Sequence, residues 1–423
     1  MKIRKKDIQF FLVGCGLLFV PSLLRVGMLK SQWALVNVLS WIGIILLTQR
    51  YYGGGRVDGS NGVTNPLLII TLIILFLIEG MMLPYFSAES KIKYIYATIL
   101  PCYILYVSLP RQEIIRYFKM FAKLLTIAST VVVLCGIFDT FIGTSIGKTI
   151  AEFSAADSLI ESIRQGRMVS YFGHPLLTSE VMILCFSFNT LVNYCIEKKT
   201  VTETVYYSIV SVIGIGFCGS KTGLILIAIE FALLYVNKKG IKYFILFAAA
   251  VYWAYGYGLL DTVIGRFLDG FKSGDLTTGR NTALALLMRN GYLHFNFLMG
   301  HAGADLSERM IAALEYPPLR WAYLFGVWFS VVMCIILFLT PAMMILKNKN
   351  IKIFIVLIIL ILDVNSYNGI TTQSDQMLLY CVSVFLLLNL SYAVRGNGNE
   401  DMCSSTKSIY TRRYPTSCNY NFK

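Results

Sequence analysis

Charge is scarce in this chain. Only 14% of its 423 residues are Asp, Glu, Lys or Arg, against about a quarter in soluble domains. Acidic residues are scarcer still, at 23 against 37 basic ones. Residues of the apolar set fill the gap, at 56% of the chain, and the mean hydropathy is +0.65. One or two soluble cores could not bury that much apolar surface. The same composition excludes a disordered chain, a coiled coil and a collagen-like chain. Several chemical signatures are missing too. There is no C-x-x-C pair or H-E-x-x-H for zinc, and no D-x-D to hold a metal-bound sugar nucleotide. Eight of the ten cysteines lie in apolar runs; Cys403 and Cys418 lie in a polar tail. None falls in the long polar loops, which argues against an exported disulfide framework.

What is present is an all-α, polytopic membrane pattern. A bilayer core needs roughly 20 apolar residues as helix. About 12 candidate spans are predicted, near 8–29, 31–48, 65–83, 92–109, 120–142, 175–196, 203–219, 222–237, 241–260, 319–346, 351–367 and 376–394. The 203–219 and 222–237 pair is separated by a very short break, and Arg25 and Pro341 interrupt the first and tenth spans. The basic start Met1–Lys6 resembles a signal peptide, but no small-residue cleavage site follows, so it reads as an uncleaved first helix. A cytoplasmic amino terminus puts 23 of the 37 lysines and arginines in inner segments and the tail, and five in short outer connections. Cytoplasmic loops carry this excess, so both termini are expected in the cytoplasm of a cell with a multi-pass inner membrane protein. Residues 1–394 form the membrane domain, and 395–423 a disordered cytoplasmic tail.

Two long loops, about 143–174 and 261–318, then fall outside. Ile146, Ile150, Phe153, Ile160 and Ile163 give the first an apolar stripe of a surface helix. In the second, Asp305 and Glu308 form a capping-box variant, Pro317-Pro318 is expected to stop that helix, and Thr277 or Thr278 to cap an earlier one ending at Gly291.

The basic residues on the outer side include Lys148, Arg164, Arg167, Lys221, Arg266, Lys272, Arg280, Arg289, Arg309 and Arg320. Cations kept where the charge rule disfavours them suggest a bound anion, and arginine forks hold phosphate well. Ordinary solvated loop charge is the competing reading. All three histidines, His174, His294 and His301, fall on the same side and are acid–base candidates. Of the carboxylates in or near spans, Glu79, Asp139, Glu180, Glu230 and Asp363, the expectation is interfacial placement for Glu79, Asp139 and Asp363, while Glu180 is the functional candidate. Gly219-Ser220-Lys221-Thr222 fails the P-loop spacing, so nucleotide binding is rejected. The basic excess sits in short clusters between apolar runs, so nucleic acid is not an expected partner.

Three stretches resemble the O-antigen polymerase and O-antigen ligase superfamily, capsular repeat-unit polymerases included. Arg167-Met168-Val169-Ser170-Tyr171-Phe172-Gly173-His174-Pro175 is similar to the family's arginine, aromatic, small residue and proline at a helix start. Gly219-Ser220-Lys221-Thr222-Gly223-Leu224 resembles its serine–arginine–small–glycine turn, with lysine for arginine. Thr278-Gly279-Arg280, with Gly300-His301-Ala302-Gly303 later, resembles its Gly-Arg and glycine pair. The family's histidine–asparagine pair is not found at Glu315–Trp321, so His301 or Glu315 substitutes or the base lies elsewhere. The resemblance implies a metal-independent, cofactor-free glycosyltransferase for capsule, exopolysaccharide or O-antigen. It would move a polyprenyl-pyrophosphate-linked glycan to a sugar hydroxyl of another lipid-linked unit, at the outer face. Lys221, Arg280, His301 and His174 are the implied catalytic residues; Arg167, Arg289, Ser220 and Arg266 would bind pyrophosphate. Membrane lipid is a partner, with room for a chain-length regulator. A flippase for lipid-linked oligosaccharide is the rival reading, although no half-repeat is visible.

Overall fold

The computed structural model describes residues 7–30, 36–52, 74–75, 95–143, 145–154, 157–235, 248–249, 251–252, 255–258, 260–274, 280–298, 300–301, 310, 313–367, 369–372 and 374–394. All but two residues of the predicted span 65–83, just over half of 241–260, the tail, Glu79, Thr277, Thr278, Gly279, and Ala302 to Arg309 with Gly303, Asp305 and Glu308 lie outside these residues.

Among the described residues the chain is helical, with no strand. Five helices are long and apolar enough to cross a membrane. They are part of this series: α1 Ile8–Phe19, α2 Ser22–Leu29, α3 Val38–Tyr52, α4 Arg111–Ile142, α5 Ile146–Ser154, α6 Asp157–Arg164, α7 Pro175–Ile196, α8 Val201–Cys218, α9 Lys221–Tyr235, α10 Asp261–Ser273, α11 Arg280–Arg289, α12 Pro317–Phe325, α13 Val327–Lys347, α14 Ile351–Val364 and α15 Ser374–Val394. The five are α4, α7, α8, α13 and Asp375–Val394 within α15. The first predicted span is instead two helices, α1 and α2, bent by 76°. Pro21 sits at the bend, in extended conformation ahead of α2, where its ring and missing N–H prevent a continuous helix. The stretch near 92–109 also departs from a regular span: Leu100–Tyr106 is a 3-10 helix with a proline at its start.

The centre of the bundle is α7. Its residues Leu177–Leu191 are all buried, and polar ones among them such as Glu180, Ser187 and Asn189 are hydrogen-bonded within the fold. It packs against α4, α8, α9 and α14. Phe118 of α4 stacks on Phe188 of α7 at 4.6 Å. Asn189 of α7 donates to the Ala122 and Cys185 carbonyls. A second buried helix, α15, packs on α4, α14 and the 3-10 segment.

Helix ends follow local chemistry. Thr200 and Glu203 form a reciprocal capping box at α8. Gly219, at φ 61, closes α8, and α9 begins two residues later, so the short break is a real turn. Contrary to the sequence expectation, Pro317-Pro318 starts α12 rather than stopping a helix, because the first turn needs no proline N–H. α12 and α13 are separated by Gly326, at φ 99. Within α13 a π-turn at Ile335–Leu339 precedes Pro341 and lets the helix continue. Asp139 accepts from the Ile146 and Gly147 amides, both at 2.8 Å, and so caps α5.

The bundle has two distinct ends. One carries α5, α6, the start of α7, the α8–α9 turn and α10. At the other, Lys119 pairs with Glu197 at 2.5 Å, and Lys352 lies 3.6 Å from the Tyr194 ring centroid. A buried ion pair ties the first helices to the last: Arg25 reaches both Asp375 oxygens at 3.0 Å. Removing one partner of such a pair costs about 3–5 kcal/mol, whereas replacing both with apolar groups is often near neutral. Arg25→Met is therefore expected to lower the melting temperature in detergent, and Arg25→Met with Asp375→Leu to recover most of the loss.

Candidate functional site

Three chain segments converge at the first end. After α6 the backbone runs against the tip of α8, with the Met168 amide bonded to the Phe217 carbonyl at 2.9 Å. This places Arg167, only 8% exposed, beside the α8–α9 turn. Arg167 Nε donates to the Cys218 carbonyl at 2.9 Å, while its Nη2 is buried without a partner. Arg266, from α10, donates through Nη1 to the next carbonyl, Gly219, at 2.5 Å. Gly219 must be glycine: its φ is positive, and a Cβ would sit 3.0 Å from Thr262 and 3.2 Å from the Arg167 side chain.

Ser220 precedes α9 and accepts the Gly223 amide through Oγ at 3.1 Å. That bond leaves the hydroxyl hydrogen able to donate. Lys221 opens α9, so its charge stands at the positive end of the helix dipole. Arg280 opens α11. Its Nη1 donates to the Ser366 carbonyl at 2.6 Å, and its Nε contacts the Glu315 carboxylate. Tyr316 donates to Asn281 at 2.9 Å.

These groups surround a cavity of about 250 Å³ whose walls include Arg167, Ser220, Lys221, Arg266, Arg280 and Tyr316. Among the described residues lining it there is no carboxylate. Burial, then the charge of Arg266, push Arg167 down to about 10, still protonated at neutral pH. Arg266 is lowered for the same reasons, burial first and Arg280 second. Glu315 lies just outside the lining; burial raises it, and Arg280 opposes that rise.

His174 caps α7, its Nδ1 accepting from the Leu176 amide at 3.3 Å. The neutral ring then carries its proton on Nε2 and can donate there, but cannot accept. Burial, followed by the charges of Arg167 and Arg280, pushes it down to about 4. Of the two roles open to His174, base or acceptor orientation, this geometry favours orientation. His301 is held elsewhere: its amide donates to Tyr323 at 2.7 Å, and its Nε2 lies 3.2 Å from the His294 carbonyl. Its ring packs on Tyr323 and does not line the cavity. Arg289 is exposed in the last turn of α11, about 14 Å along the helix from Arg280, and does not line it either.

Five of the eight candidates thus meet in one cavity. Sequence reasoning missed Tyr316 and the Ser366 carbonyl as walls. The only signal for Tyr316 was its position just before a proline-started helix. Among the carboxylates, Glu180 accepts from Tyr367, which also takes a bond from Gln376 at 2.6 Å. Glu230 accepts from Ser187 at 2.7 Å. Asp363 lies in the last turn of α14 and is buried within the bundle. No group of three or more His, Cys, Asp or Glu among the described residues is placed to hold a metal ion. Compared with protein-family models, curated proteins and solved structures, the chain shows no significant match.

Between about pH 6.5 and 4, the unfolded chain binds a proton at His174 that the folded chain does not. Stability is therefore expected to fall as the pH drops through this window. His174→Asn, which can keep the cap, should flatten the fall in melting temperature measured in detergent from pH 7 to pH 4.

Proposed function

We propose that this chain is a membrane glycosyltransferase, a repeat-unit polymerase of the O-antigen polymerase kind. The observation that carries the reading is the cavity itself. Four cations from positions 167, 221, 266 and 280 converge there, beside the amino-terminal ends of α7 and α9. Cations, a hydroxyl and helix N-termini together make a site for a compact multivalent anion. Pyrophosphate is such an anion.

Charge bias supports an outward-facing cavity. The opposite end carries Arg111, Arg116, Lys119, Lys198, Lys199, Lys347, Lys349 and Lys352, which the positive-inside tendency places in the cytoplasm. The full count of 12 spans, with both termini inside, belongs to this proposal.

The reaction balances as follows. An acceptor sugar hydroxyl attacks the anomeric carbon of the donor glycan. The new C–O bond forms as the bond to the lipid pyrophosphate breaks. The hydroxyl proton passes to a base, and Glu315, raised by burial and held against Arg280, is placed for that role. Charge that builds on the pyrophosphate meets Lys221, Arg280, Arg167 and Arg266, and the preorganised cations lower the barrier. His174 contributes a neutral donor nearby. The rival transporter reading draws support from the buried Glu180 and Asp363 within the bundle, since buried acids often mark ion pathways.

Deletion separates the two. Lipid-linked single units should accumulate on the outer leaflet, open to an impermeant lectin in spheroplasts; units protected from the lectin would favour the flippase. Lys221→Ala and Arg280→Ala should each lower polymerisation by about 10²–10³-fold. Lys221→Arg should remain active, and Arg280→Lys should be impaired because it loses the fork. Near-normal activity of both alanine variants at normal protein levels would sink the site. For orientation, exposed Gln165→Cys should react with an impermeant thiol reagent in intact cells, above the parent's background, and exposed Lys198→Cys should not. The reverse pattern would invert the topology.

A further inference from the structure

A second cavity, of about 440 Å³, lies on the other side of Arg167. Its walls come from the end of α4, the start of α5, the segment after α6, the tip of α8 and the start of α10. Its volume falls in the usual range for small-molecule sites, about 300–1,000 Å³, and Arg167 is common to both cavities.

The lining differs in kind from that of the anion site. Thr140, Ser145 and Thr262 contribute hydroxyls, and Phe217 an aromatic ring. Asp139 is present, but both of its oxygens already accept backbone amides of α5. Lys148 is also present, yet it points into solvent and lies 3.7 Å from Glu152. Asp139 keeps its charge and offsets one of the two cations in the lining, Lys148 and Arg167, so little net charge remains. Backbone is exposed at Gly166, whereas Gly147 lines the cavity as a buried residue. At Gly147 a Cβ would stand 3.1 Å from the Val169 carbonyl and from Asp139, so no side chain could stand there without displacing them.

Hydroxyls, exposed backbone, a ring and little net charge suit an uncharged polyhydroxylated ligand. We propose that this cavity is a saccharide subsite of the lipid-linked substrate, a reading that rests on the anion site next to it. Arg167 is the shared wall, so a sugar here lies one side chain from the pyrophosphate. The saccharide could belong to the donor or to the acceptor, and both present the same chemistry.

Ser145 is exposed and lines this cavity but not the anion site. The test plugs it reversibly. Ser145→Cys, purified in detergent, is treated with a bulky methanethiosulfonate reagent and later with reductant. The parent protein and Lys198→Cys, at the opposite end, are treated alike. Three quantities are read: binding of inorganic pyrophosphate, binding of the host's lipid-linked repeat unit, and polymerisation. Plugging is expected to lower polymerisation by about 10²-fold, the scale of lost substrate positioning, relative to the same variant before reaction. Reductant should restore it, and pyrophosphate binding should persist. Loss of repeat-unit binding as well would assign the donor's sugar, and retained binding the acceptor's. Unchanged polymerisation in the plugged protein overturns the subsite. Loss of pyrophosphate binding on plugging overturns it too, because the cavities would not be separate. Failure of the unmodified parent to bind pyrophosphate would instead fell the anion-site reading, and this proposal with it.

Discussion

Two consecutive carbonyls at the tip of α8 hold the arginine-lined cavity together. The last carbonyls of a helix have no partner within it. Here Cys218 offers its oxygen to Arg167, and Gly219 offers its own to Arg266. The arginines come from segments a hundred residues apart and would repel each other in any nearby arrangement. The negative end of a helix dipole is where such charges are best tolerated. Two residues on, α9 begins and presents the opposite pole to the same cavity. One glycine-centred turn therefore anchors cations on one side and supplies positive field on the other.

The choice of anchor matters for net charge. A carboxylate would hold an arginine just as firmly, but it would cancel the charge an anion needs. Carbonyl oxygens fix the guanidinium and leave its charge in place. Arg280 mixes both modes, with the Ser366 carbonyl on Nη1 and Glu315 on Nε. Its charge is the most nearly balanced of the three arginines.

The helical membrane class was legible from composition, because apolar surface on this scale outruns what soluble cores can hide. The meeting of Arg167, Ser220, Lys221, Arg266 and Arg280 was legible too, since topology placed all of them beyond the same ends of their spans. Distances within that end were not. Nothing in the spacing separates Arg280, which enters the cavity, from Arg289, which is carried away by the helix between them. His174 was found, but not which of its ring nitrogens is free. A backbone bond to Nδ1 decides which ring nitrogen bears the proton, and a sequence does not contain that bond. The α1–α2 bend was hidden because hydropathy averages across a proline, whereas backbone geometry does not.

The break at Gly326 affects what the second long loop can do. The amides at the start of α13 are taken up by that loop: Val327 donates to the Asn296 carbonyl at 3.0 Å and Trp328 to Phe297 at 3.2 Å. The Trp328 indole adds a bond to the Leu298 carbonyl at 2.8 Å. Gly300 lies so close to the Leu324 backbone that a Cβ would sit 2.0 Å from its carbonyl carbon. Residues 296–298 and Gly300 of the loop are thus riveted to the helices on either side of the break. Any displacement of residues 296–298 is mechanically a displacement of the α12–α13 break, and α12 begins beside Tyr316 at the cavity wall.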